Sequence, residues 1–414
     1  MNKKLRSLIA NTTKVSFMLL IIYFVFISNR ISTGSYEHSY FRDSLNKIDS
    51  IKTALDNEID TLWISAAGDL MCHVAQLNDA SAGNGKYDFF HMFEIIKPFT
   101  DLTHITFANL ETVTAGASKN FTGYPTFNSP DEYVLAIVNA GFDALVTANN
   151  HCLDRGFYGI EKTIELLDEC GIYHTGTFKN EEESNKILVI EQNKFRIALL
   201  AYTYGTNGIP VPKGKEFSVN YINLEKMKSD IEKAKETLSD KIVVFLHWGE
   251  EYQRYPNKHQ KNIADELFDA GADIIFGSHP HVLQPMETRI IEKNENQKKV
   301  FIIYSLGNFI SNQRKKYTDN GVIVNLQLIK NHRTKETVIN IIDYVPVYVS
   351  TSGGKFRVIP VRESLYAIEN EIKESRYYFP SDYPRLKSIW EESTEHLTNT
   401  DCEIYPAELM PDIE

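Results

Sequence analysis

The sequence predicts an α/β fold with a ligand-binding edge. From Thr61 to about Asn312, short apolar runs alternate with segments of helical periodicity that stop at glycine. Six of the apolar runs end in polar clusters of metal-ligand type. After Asn312 the runs GVIVNLQLI and TVINIIDYVPVYV alternate apolar and polar residues around the turn KNHRTKE, which predicts an antiparallel hairpin that completes a sheet.

The amino terminus has the pattern of a membrane anchor. A basic segment, residues 1–14, precedes the apolar stretch VSFMLLIIYFVFI, and no Ala-x-Ala cleavage site follows. We therefore expect an uncleaved signal anchor over 15–31, with a cleaved signal peptide and a buried soluble helix as the alternatives. Because the basic flank stays inside, the chain is expected to cross a cytoplasmic membrane once and to expose its main domain on the outer face.

The rest of the chain divides into three parts. Segment 32–60 is polar with apolar residues at helical spacing, which predicts a juxtamembrane helical linker. These apolar residues are Leu45, Ile48, Ile51, Leu55 and Ile59. The main domain is expected over 61–350, and a helical and irregular extension over 351–414.

Helix signals within the main domain are well marked. In SPDEYVLAIVNAG, Ser129 is the expected cap, Pro130 lies in the first turn, Glu132 follows the cap by three residues and Gly141 is the stop. Similar helices fit GIEKTIELLDECG, LEKMKSDIEKAKETL and HQKNIADELFDAG. Strand, helix and strand in repetition predict a layered α/β arrangement.

Charge and cysteine content exclude other classes. The formal charge of −11 lacks the electrostatic footprint of a nucleic-acid-binding protein, so no nucleic acid is expected as a partner. Four cysteines without ligand spacing predict neither a disulfide framework nor a cysteine metal site.

The polar clusters at the strand ends carry the functional prediction. In an open α/β sheet, ligands bind in the crevice beyond the carboxyl ends of the strands, so six clusters can converge on one site. Each residue alone is weak evidence, because a lone His is more often structural and an Asn-Asn pair is most often a turn. Imidazole, carboxylate and amide ligands together suit Zn, Mn or Fe. The clusters contain Asp69, Asn109, Glu111, Asn149, Asn150, His151, His247, His279, His281 and Asn308.

The pair around Pro280 predicts two metals. His279 and His281 are two residues apart, so in an extended segment both side chains would leave from one side, and neighbouring metals could each take one. Two metals about 3.5–4 Å apart would activate a bridging water for displacement at a phosphorus or acyl centre.

Six segments resemble the poly-γ-glutamate capsule biosynthesis (CapA) family, which is related to the calcineurin-like metallophosphoesterases. They occur in the family's order and cover about residues 61–345: GDLM, NLE, ANNHCLDRG, HWGEEY, GSHPHVLQP and SLGNFISNQ. The resemblance implies a layered α/β/β/α sandwich of metallophosphoesterase type, in a protein of a bacterial envelope. It also implies a role in capsule or poly-γ-glutamate synthesis or export.

Carried over position by position, the resemblance implies two divalent metal ions and a ligand set. The implied ligands are Asp69, Glu111 as the bridging acid, Asn150, His247, His279 and His281. The implied catalytic residues are His151, Asp69 and His281. Of these, His151 would donate a proton to the leaving group or hold the attacked oxyanion.

Two departures from the family pattern concern the metals. The superfamily places a His two residues after the first Asp, and this chain has Met71 there, with His73 as the nearest imidazole. The bridging acid is Glu111 rather than Asp, which is one methylene longer. Further residues expected to be ligands or to contact substrate are His73, Asn109, Arg155, Glu251 and Asn308, although Arg155 could equally pair with a surface carboxylate.

The leading functional hypothesis is a membrane-anchored hydrolase or transferase that uses a metal-activated hydroxide. Its expected partners are an anionic envelope polymer or a phosphorylated precursor, together with other subunits of a capsule synthetase or export complex. A non-catalytic polymer-binding subunit of such a complex is the alternative. A general phosphatase of nucleotides or phosphoproteins is the third hypothesis.

Overall fold

The computed structural model describes residues 58–293, 296–397 and 404–409. The expected anchor at 15–31 and the linker up to residue 57 lie outside these ranges. The linker helix was expected to reach residue 60, but Ile59 already begins the first strand. Within the described ranges, no helix combines the length and the hydropathy that crossing a bilayer requires.

The strands of the described chain are β1 (Ile59–Leu70), β2 (Ser81–Gly83), β3 (Lys86–Tyr87), β4 (Ile105–Leu110), β5 (Ala144–Val146), β6 (Tyr173–Thr175), β7 (Leu188–Gln192), β8 (Phe195–Thr203), β9 (Lys241–His247), β10 (Ile274–Ser278), β11 (Leu283–Lys293), β12 (Asn296–Leu306), β13 (Asn308–Ile310), β14 (Asn320–Asn331), β15 (Glu336–Ser350), β16 (Arg357–Pro360) and β17 (Ile404–Pro406). Its helices are α1 (Val74–Ala80), α2 (Phe90–Phe93), α3 (Lys97–Thr100), α4 (Asp131–Asn139), α5 (Gly156–Glu169), α6 (Glu181–Ser184), α7 (Leu224–Glu236), α8 (Lys258–Ala270), α9 (Val361–Glu369) and α10 (Tyr383–Leu397).

Two mixed sheets form the centre of the fold. One has the order β16-β15-β14-β1-β4-β5-β6, with β13 beside β1 and β17 beside β15. In it, β1 runs parallel to β4 and antiparallel to β14, so Ile64 pairs with Ile105 on one side and Leu326 on the other. The second sheet has the order β11-β12-β10-β9-β8-β7, with β8, β9, β10 and β12 parallel. The parallel core strands therefore bring their carboxyl ends to common edges.

The buried apolar clusters show how the sheets and helices are layered. Inner faces of both sheets pack together through Ile64 and Phe107 from one sheet and Phe245 and Phe276 from the other. A second cluster joins the outer face of the first sheet to α1, α2 and α4, and a third joins the second sheet to α7 and α8. Strands covered on both faces read as continuous apolar runs, which explains TLWISAAG and KIVVFL. The layered α/β sandwich expected from the sequence is confirmed.

The expected helices are present, with one correction at a cap. Helix α4 begins after Pro130, which occupies the N-cap position, whereas Ser129 Oγ lies 2.8 Å from Thr112 Oγ1. Pro130 fits there because its φ of −62° lies in the proline range and an N-cap needs no intrahelical N–H bond. Gly141 follows the helix with a φ of +86°, as a glycine stop should.

The carboxyl-terminal part builds onto the first sheet. The expected hairpin is the pair β14–β15, in register from Asn320 with Tyr348 to Asn331 with Glu336. Beyond it, β16 pairs with β15 antiparallel and β17 pairs with β15 parallel. Apolar residues of α9 and α10 pack against this edge, including Leu365 and Ile389.

A close backbone approach fixes the end of β1. The N–H of Asp69 donates to Gly307 O at 3.0 Å, and a Cβ on Gly68 would lie only 1.9 Å from that oxygen. Only glycine fits at Gly68 without moving the neighbouring strand. The contact sets Asp69 directly beside Asn308 of β13.

Candidate metal centre

The strand-end clusters meet at one edge of the sandwich. Each residue in this group is at most 4% exposed, and the group draws on β1, β4, β9, β13 and the segments after β4, β5 and β10. Its members are Asp69, Asn109, Glu111, Asn149, Asn150, His151, His247, His279, His281 and Asn308. The structure thus brings together the polar residues that end the six apolar runs.

Two buried carboxylates stand at the middle of the group, joined by an amide. Asn109 Nδ2 donates to Asp69 Oδ1 at 2.8 Å and to Glu111 Oε2 at 3.3 Å. Its amide oxygen accepts from Asn149 Nδ2 at 3.1 Å, which fixes the orientation of the Asn109 amide. Asn109 therefore supports the acids as a donor, and its oxygen is engaged away from them.

Glu111 is only partly satisfied. Its Oε1 atom is buried and has no hydrogen-bond partner in the described chain. The Nε2 atoms of His247 and His281 each lie 3.8 Å from it. Burial, and then the neighbouring charge of Asp69, raise the pKa of Glu111 well above its usual value. Ligand atoms of Asp69, Glu111 and His247 all lie within 4.8 Å of one another.

The orientation of His281 leaves one ring nitrogen free. Its Nδ1 lies 3.1 Å from Asp69 Oδ2 and 3.0 Å from Asn308 Oδ1. Asn308 Nδ2 donates to Thr318 O at 2.8 Å, so the amide oxygen must face the ring. Because both neighbours of Nδ1 are acceptors, Nδ1 carries the proton and Nε2 presents a lone pair towards Glu111.

His247 is held from two sides in the opposite tautomer, because its Nε2 faces the acceptor oxygen of Asn150 and carries the proton. Its Nδ1 lies 2.9 Å from Ser278 Oγ, and its Nε2 lies 2.9 Å from Asn150 Oδ1. Asn150 Nδ2 donates to Asn207 Oδ1 at 3.1 Å, which turns the Asn150 oxygen towards the imidazole. Burial, and then His279, lower the pKa of His247 well below its usual value, so the ring is neutral. Ligation through Nε2 would require its proton to move to Nδ1, where Ser278 Oγ can accept it.

The segment that carries His279 and His281 is not extended, contrary to expectation. The two residues have φ values of +96° and +57°, and they form a loop after β10. Their ring centroids are 6.0 Å apart. His279 Nδ1 is buried with no hydrogen-bond partner among the described residues, and burial followed by His281 lowers the pKa of His279 to about 3. Non-glycine residues at positive φ mark backbone strain at the site.

His151 forms a pair with an acid that the sequence did not single out. Its Nδ1 lies 2.8 Å from Asp154 Oδ2, which also accepts the N–H of Phe127 at 2.5 Å. The Phe127 ring packs edge-on against the imidazole, with centroids 4.6 Å apart. Asp154 therefore accepts from Nδ1, which leaves Nε2 as the nitrogen with the lone pair.

The residues present fit a bound cation. Two buried acids, the unpartnered Glu111 Oε1 and His279 Nδ1, and neutral imidazoles with oriented nitrogens form a donor set for divalent ions. Among the described residues, no Lys or Arg nitrogen lies within 4.0 Å of Asp69 or Glu111. A divalent ion would supply the missing positive charge.

Other predicted residues lie around this centre. Met71 is buried, and its thioether is a soft ligand that suits the hard or borderline ions of this donor set poorly. His73 accepts the N–H of Asn312 on Nδ1 at 3.2 Å and packs against Phe127 at 5.2 Å. Burial above all lowers the pKa of His73 to about 4.

Arg155 and Glu251 lie farther out. Arg155 donates to Thr122 Oγ1 at 2.6 Å and to the backbone oxygens of Asp154, Thr126 and Lys119, so it braces a loop rather than pairing with a surface carboxylate. Glu251 is exposed, on the turn after β9.

Sequence reasoning missed Tyr204 and Asn207, which follow β8. The Tyr204 ring lies 4.5 Å from His279, and its side chain is 47% exposed, whereas the imidazoles below it are buried. Burial, then Glu111 and Glu251, raise the pKa of Tyr204 to about 12, so the phenol keeps its proton. The signal was present in the sequence, because TYGTNG also follows an apolar run, FRIALLAY.

Comparisons with known proteins show which family contains this set of residues. The family model described as bacterial capsule synthesis protein PGA_cap matches residues 63–313. The capsule biosynthesis protein CapA of Bacillus anthracis is 29% identical over 321 residues, which cover 75% of this chain and 73% of that protein. The PGA biosynthesis protein CapA of Bacillus subtilis is 31% identical over 245 residues, covering 56% and 59% respectively.

Solved structures are more distant. A novel phosphatase from Mycoplasma pneumoniae has 13% identity and a TM-score of 0.42, covering 70% of this chain and 94% of that one. The NAD nucleotidase of Haemophilus influenzae has 12% identity and a TM-score of 0.43, covering 86% and 65%. The matched family segment, 63–313, contains every residue of the candidate centre.

Proposed function

The chain belongs to the bacterial capsule synthesis protein PGA_cap family, and we propose that it is a metal-dependent hydrolase or transferase of capsule biosynthesis. Its substrate in this proposal is an anionic envelope polymer, such as poly-γ-glutamate, or a phosphorylated precursor of one. The names of the two Bacillus relatives support the pathway. The proposal includes an anchor at 15–31 in a bacterial cytoplasmic membrane, the site on the outer face, and contact with other synthetase or export subunits.

The observation that carries the proposal is a buried acid pair that no Lys or Arg of the described chain neutralises. Asp69 and Glu111 are both 0% exposed, and an ionised carboxylate taken out of water costs several kcal/mol unless it is paired. A protein that keeps two such acids, with three imidazoles beside them, gains most from binding cations there.

Six residues would hold the ions: Asp69, Glu111, Asn150, His247, His279 and His281. Bound divalent ions such as Mn, Zn or Fe supply a polarised phosphoryl or acyl oxygen and a water of lowered pKa. Asn308 and Ser278 keep the imidazoles of His281 and His247 in the orientation that ligation needs.

In this proposal His151 transfers the proton. Asp154 accepts from Nδ1, so Nε2 can give a proton to a leaving group or take one from an attacking group. Phe127 packs against the ring and keeps water from that side. Tyr204, protonated and half exposed above His279, is placed to donate a hydrogen bond to a substrate oxygen.

Metal content tests the proposal directly. We expect about two equivalents of transition metal in the purified full-length chain, as in two-metal hydrolases. Asp69→Ala and His279→Ala should lose metal, while His259→Ala, an exposed residue of α8, should keep it. A wild-type chain that stays metal-free after purification without chelator and incubation with Mn and Zn would contradict the metal-dependent function.

A non-catalytic polymer-binding subunit is the second candidate. Met71 favours it, because the chain has a buried thioether where metallophosphoesterases have an imidazole ligand. His151→Gln separates the two functions. As an enzyme, the variant should bind metal and lose turnover and polymer output; as a binding subunit, it should leave output unchanged, whereas removal of residues 1–31 should end it.

A further inference from the structure

Two loops meet beside the candidate centre, and both are fastened to it. The turn after β9 is held where the N–H of Tyr252 donates to Pro280 O at 2.8 Å, between the two histidines. The segment after β13 is held by Asn308, whose Nδ2 donates to Gln313 Oε1 and Thr318 O. The two loops are therefore attached directly to the segments that carry the ligand set.

The two loops carry basic side chains that rest on aromatic rings. The ammonium of Lys315 lies 3.7 Å from the centroid of the Tyr252 ring, which is itself 6.3 Å from the His281 ring. Arg254 and Lys316 both lie over Tyr317, at 4.1 and 4.5 Å. A cation over a ring is held in place, but its charge is not neutralised and its N–H donors stay available.

These cations have no acidic partners. In the described chain, no carboxylate oxygen lies within 4.0 Å of a nitrogen of Arg254, Lys315 or Lys316, although Glu250 and Glu251 precede Tyr252 on the same turn. The protein as a whole carries a formal charge of −11, so an anionic ligand needs a local group of cations such as this one. Lys315 and Lys316 are also exposed, which leaves them open to a ligand.

We propose that Arg254, Lys315 and Lys316, here called the basic rim, form a subsite for anionic groups that flank the reacting bond of a multiply charged chain. The rim stands beside the metal ligands rather than among them, so it meets a neighbouring part of the substrate. This inference rests on the proposed function, because it names the substrate class of the same site. The shared chemistry is a polyanion, whose charges are carboxylates or phosphates.

Charge reversal tests the rim in the full-length chain. The probes are a fluorescein-labelled oligo-γ-glutamate and, separately, a labelled polyphosphate, and binding is measured by fluorescence anisotropy. Lys315→Glu combined with Lys316→Glu should weaken binding about tenfold or more at low ionic strength, and added salt should weaken wild-type binding.

The matched control is Arg333→Glu combined with Lys335→Glu, which changes the same charge in the exposed turn at the opposite end of the first sheet. It should shift affinity less than about twofold. A response to oligoglutamate identifies carboxylates as the ligand and a response to polyphosphate identifies phosphates; either supports the rim.

Equal weakening in both double variants, no weakening in the rim variant, or no binding of either probe to the wild-type chain would overturn the subsite. Metal content of the same samples separates this failure from that of the proposed function. If the rim variant keeps both its metal and its affinity for the probes, only the subsite is contradicted. If the wild-type chain binds no metal, the metal-dependent function is contradicted.

Discussion

Acidic side chains are buried at both ends of the parallel strands, but only at one end are their charges compensated by lysines. Before β10, Asp273 accepts from Lys241 at 2.8 Å and lies 2.9 Å from the ammonium of Lys298. Burial raises the pKa of Asp273, but the two lysines outweigh burial and lower it. At the other end, no Lys or Arg nitrogen of the described chain lies within 4.0 Å of Asp69 or Glu111, and the pKa of Glu111 is raised. One end balances its charge with lysines of the same chain, whereas at the other end no Lys or Arg of the described chain balances the two acids.

The largest expected change in stability comes from removing Asp273, the acid that is paired with lysines. Asp273→Ala leaves Lys241, 5% exposed, without its partner, and should lower the free energy of unfolding by about 3–5 kcal/mol. Urea denaturation measures it. Asp265→Ala, which removes an exposed partner of Arg289, is the control and should change stability by less than about 1 kcal/mol. Loss of metal from folded Asp273→Ala would contradict the separation of the two ends.

At the end without lysine partners, removing an acid is expected to increase the stability of metal-free protein. In protein stripped of metal at neutral pH, Glu111→Gln should raise the free energy of unfolding by about 1–3 kcal/mol, because it replaces an acid whose ionised form is penalised by burial with a neutral amide. The same variant should bind less metal when ions are restored. Glu216→Gln, on the exposed turn before Phe217, is the control. Destabilisation of the stripped Glu111→Gln protein would show that the chain itself compensates this charge.

A smaller effect is expected from the residues that orient the imidazoles. Asn308→Ala removes the oxygen that fixes the His281 ring, and should weaken metal affinity by about 10–100-fold. Competition with a chelating dye measures this change. Asn325→Ala is the matched control, because its amide donates to Asp343 in the same sheet. Equal affinities in the two variants would mean that the second contact of His281, with Asp69, holds the ring alone.

The two ends should also respond to pH with opposite signs, by at most about 1.4 kcal/mol per pH unit for each group. Asp273 has a lowered pKa, so its contribution is present above 3.8 and is lost as pH falls through the folded-state pKa. Glu111 has a raised pKa, so in metal-free protein it destabilises increasingly as pH rises above 4.5. Urea titrations of Asp273→Ala and Glu111→Gln against wild type should therefore diverge at higher pH and converge in acid. Curves that stay parallel to wild type would contradict both assignments.

Much of the fold was readable from the sequence because its signals are local. Continuous apolar runs such as KIVVFL mark strands covered on both faces, and glycine stops such as Gly141 end the helices. The strand-end clusters could be grouped because parallel strands share an edge. The approach of Gly68 to Gly307 joins segments far apart in the chain, and no local pattern indicates it.

The site was predicted less completely, for the same reason. Its donors are single residues at strand ends, but their supporting partners lie on other segments: Asn207 for Asn150, Ser278 for His247, and Asp154 for His151. Their short polar side chains are common in ordinary turns. The geometry around Pro280 was wrong because the extended conformation was assumed, whereas tertiary contacts hold both neighbours at positive φ.

The positive φ values of His279 and His281 set thermal stability against metal binding at these two positions. A left-handed backbone costs about 1–2 kcal/mol for a residue with a Cβ, and glycine adopts it freely. A selection for thermal survival alone should therefore enrich glycine at His279 and His281, and every such gain would remove an imidazole. Retention of both histidines in a population evolved under heating would report that the site was still in use.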